Sequence, residues 1–196
     1  MKYVLVQDTV EKVVISGGEN LLNFITTNVE DNKLVITNEN KCNFLRTYKK
    51  DVTVEIHLKD LIKVEFEGTK ELICQNQLVQ NDVLFLIRDG AGEVNLNLFS
   101  NSLTTIVTHG WGNFKLEGTV NVLKLEVRSN GFGSTYNMNV NDSIYVISNS
   151  AENVAVNCNN VLMRAEIGSV GDIEYKGIPS FLELNKYGSG ELIDNN

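Results

Sequence analysis

Apolar and polar residues alternate with a period of two over most of the chain, for example at 52–58, 93–99 and 173–177. This period is typical of a β-strand with one buried face, whereas an amphipathic helix repeats every 3.6 residues. No stretch keeps apolar residues at the helical spacing i, i+3, i+4, i+7. The pattern therefore predicts β-strands almost throughout.

A Gly-x-Gly motif recurs along the chain, with degenerate copies that end at Glu152 and Gly171. The last residues of successive copies are 19 to 21 residues apart. Glycine suits a sharp corner because the corner needs a positive φ and little side-chain bulk. We predict structural corners at these glycines: Gly90, Gly92, Gly110, Gly112, Gly131, Gly133, Gly171, Gly188 and Gly190.

Equivalent positions of successive repeats also carry similar side chains. In the second strand of each repeat, one apolar column contains Leu103, Leu123, Ile144, Met163 and Leu182, and the next contains Thr105, Leu125, Val146, Ala165 and Leu184. In the first strand, the inward pairs are Val94/Leu96, Phe114/Leu116, Tyr136/Met138, Val154/Val156 and Ile173/Tyr175. Such columns would stack if each repeat were one coil of a solenoid, with coils about 4.8 Å apart.

We therefore predict an all-β fold, a right-handed parallel β-helix (β-solenoid) with about 19–21 residues per repeat. The alternative is an up-and-down antiparallel meander, which explains two turns per repeat equally well but does not require matched positions. We expect one domain over residues 1–196, with an irregular N-terminal cap over 1–66 and regular repeats over 67–196. A cap is expected because the terminal coil of a solenoid exposes an open edge.

Charge and composition exclude several functions. A net charge of −8 argues against a nucleic-acid partner, and no apolar run is long enough for a transmembrane helix. The cysteines Cys42, Cys74 and Cys158 are odd in number and lack Cys-x-x-Cys spacing, so they predict neither a disulfide scaffold nor a zinc site. The two histidines, His57 and His109, have no ligand neighbours at metal-binding spacing. We expect no metal, no cofactor and no catalytic residues.

Two sets of residues are candidate contact sites. Trp111 and Phe132 occupy the middle of consecutive Gly-x-Gly corners and would stack one coil apart. With His109 and Tyr136 nearby, they predict a ligand-binding aromatic platform, unless they simply form a small hydrophobic edge. On the second strands, Ile106, Tyr145 and Ile147 would face outward among charged residues, which is typical of a protein interface unless coil curvature covers them. The outward asparagines of the first strands indicate either simple solubility or hydrogen bonding to glycans.

Residues 168–179 and 187–190, GSVGDIEYKGIP and YGSG, resemble the closing repeats of the head GIN domain family. Residues 20–22, 29–36 and 54–56 resemble its N-terminal region. The chain departs from the family pattern at Val170, where a small residue is usual, and at Ser150 and Glu152, which replace glycines. This family consists of auto-transporter adhesin heads from envelope and secreted proteins of Bacteroidetes. The resemblance implies a β-helical structure, an envelope or extracellular location (periplasm, outer surface or secreted) and a leader that has been removed.

These observations predict a non-enzymatic binding module of the cell envelope or of secreted proteins, an adhesin head that contacts a glycan or an envelope protein through a solenoid face. One alternative is a carbohydrate-active enzyme, because β-helices host such enzymes. Another is a structural module that forms homo-oligomers through the solenoid end or through the face that contains Ile106, Tyr145 and Ile147.

Overall fold

The computed structural model describes residues 1–40 and 52–196. The prediction that Cys42 takes part in neither a disulfide scaffold nor a zinc site therefore lies outside the described residues. The structure is 65% strand and 2% helix, the helix being α1 (Glu19–Leu22). The strands are β1 (Lys2–Gln7), β2 (Lys12–Ser16), β3 (Ile25–Glu30), β4 (Lys33–Asn38), β5 (Thr53–Leu58), β6 (Lys63–Phe66), β7 (Leu72–Cys74), β8 (Leu78–Val79), β9 (Asp82–Ile87), β10 (Glu93–Val107), β11 (Asn113–Ser129), β12 (Phe132–Ser150), β13 (Val154–Asn157), β14 (Leu162–Ile167), β15 (Ile173–Lys176), β16 (Phe181–Lys186) and β17 (Leu192–Asp194).

Strands of successive coils pair in parallel, β10 with β11, β11 with β12, and β12 with β13 and β14. The stack has about seven coils, which confirms the predicted β-solenoid and excludes the antiparallel meander. Each coil contributes two strands. The first face is the sheet that contains β7, the first halves of β10–β12, β13, β15 and β17. The second face is the sheet that contains β6, β9, the second halves of β10–β12, β14 and β16.

The interior columns of the second face are those that the sequence predicts. Leu103, Leu123, Ile144 and Met163 pair in register and are 0% exposed. The next column runs from Phe85 through Thr105 and Leu125 to Ala165, and its members are at most 2% exposed. Alternate residues of each strand point inward, so the same pattern that predicts the strands also builds the core.

The first face departs from the predicted register in the coil that contains β12. Phe114 pairs with Gly133, and Tyr136 lies at a register shift between Lys115 and Glu117, so the predicted inward position of Tyr136 is wrong. Buried Thr135 pairs with inward Val156 and takes that position instead. The cause is steric, because a Cβ on Gly133 would lie 2.5 Å from the ring of Phe114. The large ring fills the space that the small residue leaves.

The corner that corresponds to Gly112 is therefore Gly131 rather than Gly133. A Cβ on Gly112 or Gly131 would meet a Cγ1 atom of Val107, at 3.0 and 2.6 Å respectively. Among the predicted corner glycines, Gly110 has a positive φ, of 78°. The others are required by close approach between coils, as at Gly188, where a Cβ would lie 2.1 Å from the carbonyl oxygen of Ser169.

The N-terminal region is more regular than the predicted cap. Strand β1 lies in the first face between β5 and β7 and pairs in parallel with both, and its Leu5 is 3% exposed. Beyond β5, strand β2 pairs antiparallel and closes that end, and β3 and β4 form a separate hairpin. A small second core there contains Ile25, Val52 and Val54. The N-terminal residues thus supply both a coil strand and a cap.

Candidate functional site

A groove of about 650 Å³ lies on the outer surface of the second face. The structure brings the predicted interface residues Ile106, Tyr145 and Ile147 together in its wall. Ile106 and Ile147 both pair with Glu126 of the intervening strand, and Lys124 pairs with Tyr145. These residues alternate with the buried columns, which is why the same strands that fill the core also line the groove. The remaining lining residues are Thr104, Val122, Leu125, Asp142 and Ser143.

Charged side chains surround the apolar floor of the groove. Arg128 Nε donates to Glu126 Oε1 at 2.7 Å, and Arg164 Nε donates to Glu183 Oε2 at 2.8 Å. The Arg164 guanidinium also lies over the ring of Tyr145, 5.9 Å from its centroid. Lys124 has no ion-pair partner within residues 1–40 and 52–196. The groove therefore combines an apolar floor with an available cation.

The predicted aromatic platform is not assembled as the sequence suggests. Phe132 pairs with Asn113 rather than Trp111, so the two rings occupy diagonal positions and do not lie directly above one another. Trp111 is 55% exposed, and its backbone N–H donates to the carbonyl of Gly90. The His109 side chain is also exposed at the corner, and its Nδ1 lies 3.8 Å from an Asp89 carboxylate oxygen. The expected stacking failed because Gly131, not Gly133, is the equivalent corner. A ligand-binding role for these residues stays a prediction.

Tyr136 belongs to a different cluster on the first face. Its hydroxyl accepts a hydrogen bond from Asn195 Nδ2 at 2.9 Å and donates to Glu174 Oε2 at 3.4 Å. The Lys176 ammonium lies 4.9 Å from the ring centroid. Burial raises the pKa of the Tyr136 hydroxyl. Tyr136 therefore joins β12 to the last two coils and does not extend the Trp111 corner.

Amide side chains form rows along the polar turns between the two faces. Asn121 Nδ2 donates to Asn101 Oδ1, and Asn141 Nδ2 donates to Asn121 Oδ1, both at 3.1 Å. Next to this row is a depression of about 420 Å³, which presents amide and hydroxyl groups together. Its lining residues are Thr119, Asn139, Val140, Asn141, Asn157 and Asn159.

His57 is held by two carboxylates rather than exposed on a strand. Its Nδ1 lies 2.7 Å from Asp8 Oδ2, its Nε2 lies 3.8 Å from Glu55 Oε2, and its side chain is 13% exposed. The hydrogen bond from His57 is the main cause that lowers the pKa of Asp8. A nucleophilic triad would need a hydroxyl or thiol on the second ring nitrogen. The sequence gives no signal for this contact, because Asp8 and His57 are 49 residues apart.

The described thiols are poorly suited to nucleophilic chemistry. Cys158 is 0% exposed, and burial is the main cause that raises its pKa to about 11. Burial also raises the pKa of Cys74, whose Sγ accepts a hydrogen bond from the backbone N–H of Asn97 at 3.0 Å. Within residues 1–40 and 52–196, no group of three or more His, Cys, Asp or Glu side chains is placed to hold a metal ion. No helix in that part of the chain has the length and apolarity needed to cross a bilayer.

A family model described as "Putative auto-transporter adhesin, head GIN domain" matches residues 1–179. Among solved structures, a protein titled a putative adhesin from Bacteroides fragilis is 25% identical with a TM-score of 0.86, over 98% of this chain and 87% of its own. A putative lipid binding protein from Parabacteroides distasonis is 16% identical with a TM-score of 0.73, over 100% of this chain and 89% of its own. At that identity the second likeness concerns the fold alone. No curated protein matches the chain.

Proposed function

Since the chain belongs to the family described as putative auto-transporter adhesin, head GIN domain, we propose that it is a non-enzymatic binding module of the bacterial envelope or of a secreted protein. It contacts a protein partner through the groove on the second face. The observation that carries this proposal is the groove itself, which gathers Ile106, Tyr145 and Ile147 on the outside of a solenoid.

The chemistry of the groove fits a protein surface. The outward face of a solvated sheet is normally polar, and an apolar patch with a charged rim is typical of protein contacts. Tyr145 offers an aromatic anchor with Arg164 over its ring, and anchors of this type carry much of the binding energy at interfaces. Lys124 suits an acidic side chain of the partner. The groove lies on the outer surface of the sheet, which fits a protein segment better than an enclosed lipid chain.

The test is a binding screen of the purified chain against immobilised extracellular-matrix proteins, with fibronectin, fibrinogen, laminin and collagen as probes. The groove variant Tyr145→Ser/Ile147→Thr should weaken binding at least tenfold, because it removes the aromatic and aliphatic anchors. The matched control is Trp111→Ala/Phe132→Ala, which alters an exposed and a half-buried aromatic outside the groove and should leave binding unchanged. Melting temperatures of all three proteins establish that each is folded. Binding that depends on Trp111 and Phe132 but not on the groove would contradict the assignment.

A second candidate function is glycan binding at the amide-lined depression. The observation that favours it is the convergence of Asn139, Asn141, Asn157 and Asn159, since amides donate and accept hydrogen bonds to sugar hydroxyls. A glycan array of the native chain beside Asn139→Ala/Asn159→Ala tests it. Both residues are exposed, so this variant should fold normally. A glycan signal that the variant retains would exclude this depression as the site.

A further inference from the structure

The last coil of the second face leaves part of the core uncovered. Leu182 follows Met163 in its column, and Leu184 follows Ala165. Met163 and Ala165 are 0% and 2% exposed, whereas Leu182 and Leu184 are 39% and 42% exposed. We propose that a second copy of this chain covers them: two copies associate tail to tail, by antiparallel pairing of their β16 strands around a twofold axis.

The backbone of β16 is free to accept another strand. It pairs with β14 over six residues from Phe181 to Lys186, and no other strand of the described chain pairs with it. Native edge strands are usually protected by a bulge, by a proline or by charged side chains, including inward-pointing ones. Strand β16 has a regular register, its inward residues Leu182 and Leu184 are apolar, and Pro179 lies outside it. Its one inward charge, Lys186, lies at the end of the strand and is paired with Glu191 of the same chain. The free backbone edge of β16 is therefore available for pairing with a strand of another chain.

The sequence of β16 is complementary to itself. If Glu183 lies opposite the partner's Glu183, antiparallel pairing places Leu182 opposite the partner's Leu184, and Leu184 opposite the partner's Leu182. Side chains directly opposite in such a pair have Cβ atoms about 4.5–5.5 Å apart. Four leucines would then join the two cores into one.

The charges on the outer surface of β16 also favour this pairing. Each Glu183 is bound by Arg164 of its own chain at 2.8 Å. The two carboxylates that meet at the axis are therefore flanked by two guanidinium groups, one from each chain. Direct repulsion between the carboxylates is offset in this arrangement.

The opposite end of the second face is only partly covered, since Ile62, directly before β6, is 80% exposed. Its last strand, β6, pairs with β9, and its inward Phe66 is 6% exposed. The ring of Tyr3 lies edge-on to Phe66 at 5.9 Å and covers it. A head-to-tail contact would set the two exposed leucines of one copy against Ile62 of the other, whereas a tail-to-tail pair brings four leucines together.

A twofold axis perpendicular to the second face keeps both outer surfaces on one side. The two grooves around Tyr145 would then face the same direction, and a surface that presents many partners would bind both copies with increased avidity. The pairing itself involves β16 and is independent of what the groove binds.

Sedimentation of the full chain over a range of concentrations tests the pairing. The native chain should form dimers in a concentration-dependent manner. Leu184→Lys should weaken the dimer at least tenfold, and because Leu184 is already 42% exposed, the monomer should stay folded. The matched control is Val79→Lys, at an apolar residue that is 55% exposed outside the proposed contact, and it should dimerise like the native chain. A monomer at all concentrations, or a dimer that Leu184→Lys leaves unchanged, would overturn the proposal.

A cysteine at the axis tests the register. Glu183→Cys places two thiols opposite one another and should form a disulfide-linked dimer under mild oxidation. Val79→Cys and the native chain serve as controls for other crosslinks. If the dimer persists but Glu183→Cys crosslinks no more than Val79→Cys, the proposed pairing of β16 is wrong.

Discussion

The two faces are made from the same coils, yet they accommodate irregular coil lengths differently. Between β11 and β12, the register shifts at Lys115/Glu117 and again at Val120/Val122, on the first face and at the bend that follows it. The second face then stays in register from Val122 to Ser129. Extra residues are tolerated where outward side chains are polar and where Gly133 leaves room beneath Phe114. The face that carries the apolar groove keeps an unbroken ladder, so its surface side chains are held in fixed positions.

The largest expected effect is a difference in the loss of stability between substitutions in the middle of the second face and at its end. Leu125 and Leu184 occupy the same interior column, and Leu125 is 2% exposed. Leu125→Ala should lower the free energy of unfolding by about 2–5 kcal/mol, because it removes buried methyl groups and leaves a cavity. Leu184→Ala should cost less than about 1 kcal/mol in the monomer, because solvent already reaches that side chain. Urea denaturation at low protein concentration measures both values, and equal losses would contradict the burial pattern.

The next effect concerns the irregular coil of the first face. Gly133→Ala should lower the free energy of unfolding by about 1–3 kcal/mol, because the new methyl group overlaps the ring of Phe114. The change is measured by the shift in the urea midpoint. Gly18→Ala is a suitable control, since its nearest contact would be 3.1 Å from the end of the Asn20 side chain.

The cause can be isolated by reducing the ring. Phe114→Leu on its own should destabilise the chain, but in combination with Gly133→Ala it should cost less than the sum of the two changes. Such coupling is expected between residues in direct contact. Additive effects would show that the glycine is required for another reason.

The sequence predicts the second face better than the first for a physical reason. Leu103, Leu123 and Ile144 recur at intervals of 20 and 21 residues, and the structure pairs them in register. On the first face, the Gly-x-Gly motif at Gly131–Gly133 suggests a corner at Gly133, but the ring of Phe114 decides which glycine lies inside. That choice depends on packing between coils, which cannot be inferred from the spacing of the repeats. For the same reason the predicted stacking of Trp111 on Phe132 is not found.

Other features depend on contacts that are distant in the sequence. The position of β1 between β5 and β7 cannot be predicted from the alternation of apolar and polar residues in β1, since any strand of that pattern would fit. The contact between Asp8 and His57 cannot be predicted from the sequence pattern either. The groove, in contrast, could be predicted because Ile106, Tyr145 and Ile147 are apolar at outward positions of a regular ladder.

A smaller effect tests the buried hydroxyls of the second face. Thr105 Oγ1 is buried and has no hydrogen-bond partner in the described chain. Replacing it with the nearly isosteric valine removes an unpaired polar group, so Thr105→Val should raise the free energy of unfolding by about 1 kcal/mol. Thr104→Val, on the outer surface of the same strand, is the control and should change stability little. A loss of stability in Thr105→Val would indicate that the hydroxyl has a partner, such as a bound water.

The smallest effect is a pH dependence confined to the first face. The pKa of Asp8 is lowered chiefly by the hydrogen bond from His57, so the ionised carboxylate stabilises the fold above its unfolded pKa. That contribution is lost as the pH falls through the lowered folded pKa of Asp8. Because Asp8 follows β1 and His57 lies in β5, its loss should loosen this strand pair before the second face. Hydrogen exchange of the β1 amides should be faster in Asp8→Asn than in the native chain at pH 6, and this difference should shrink as the pH is lowered and Asp8 becomes protonated, whereas amides of β14 should exchange alike in both proteins at each pH.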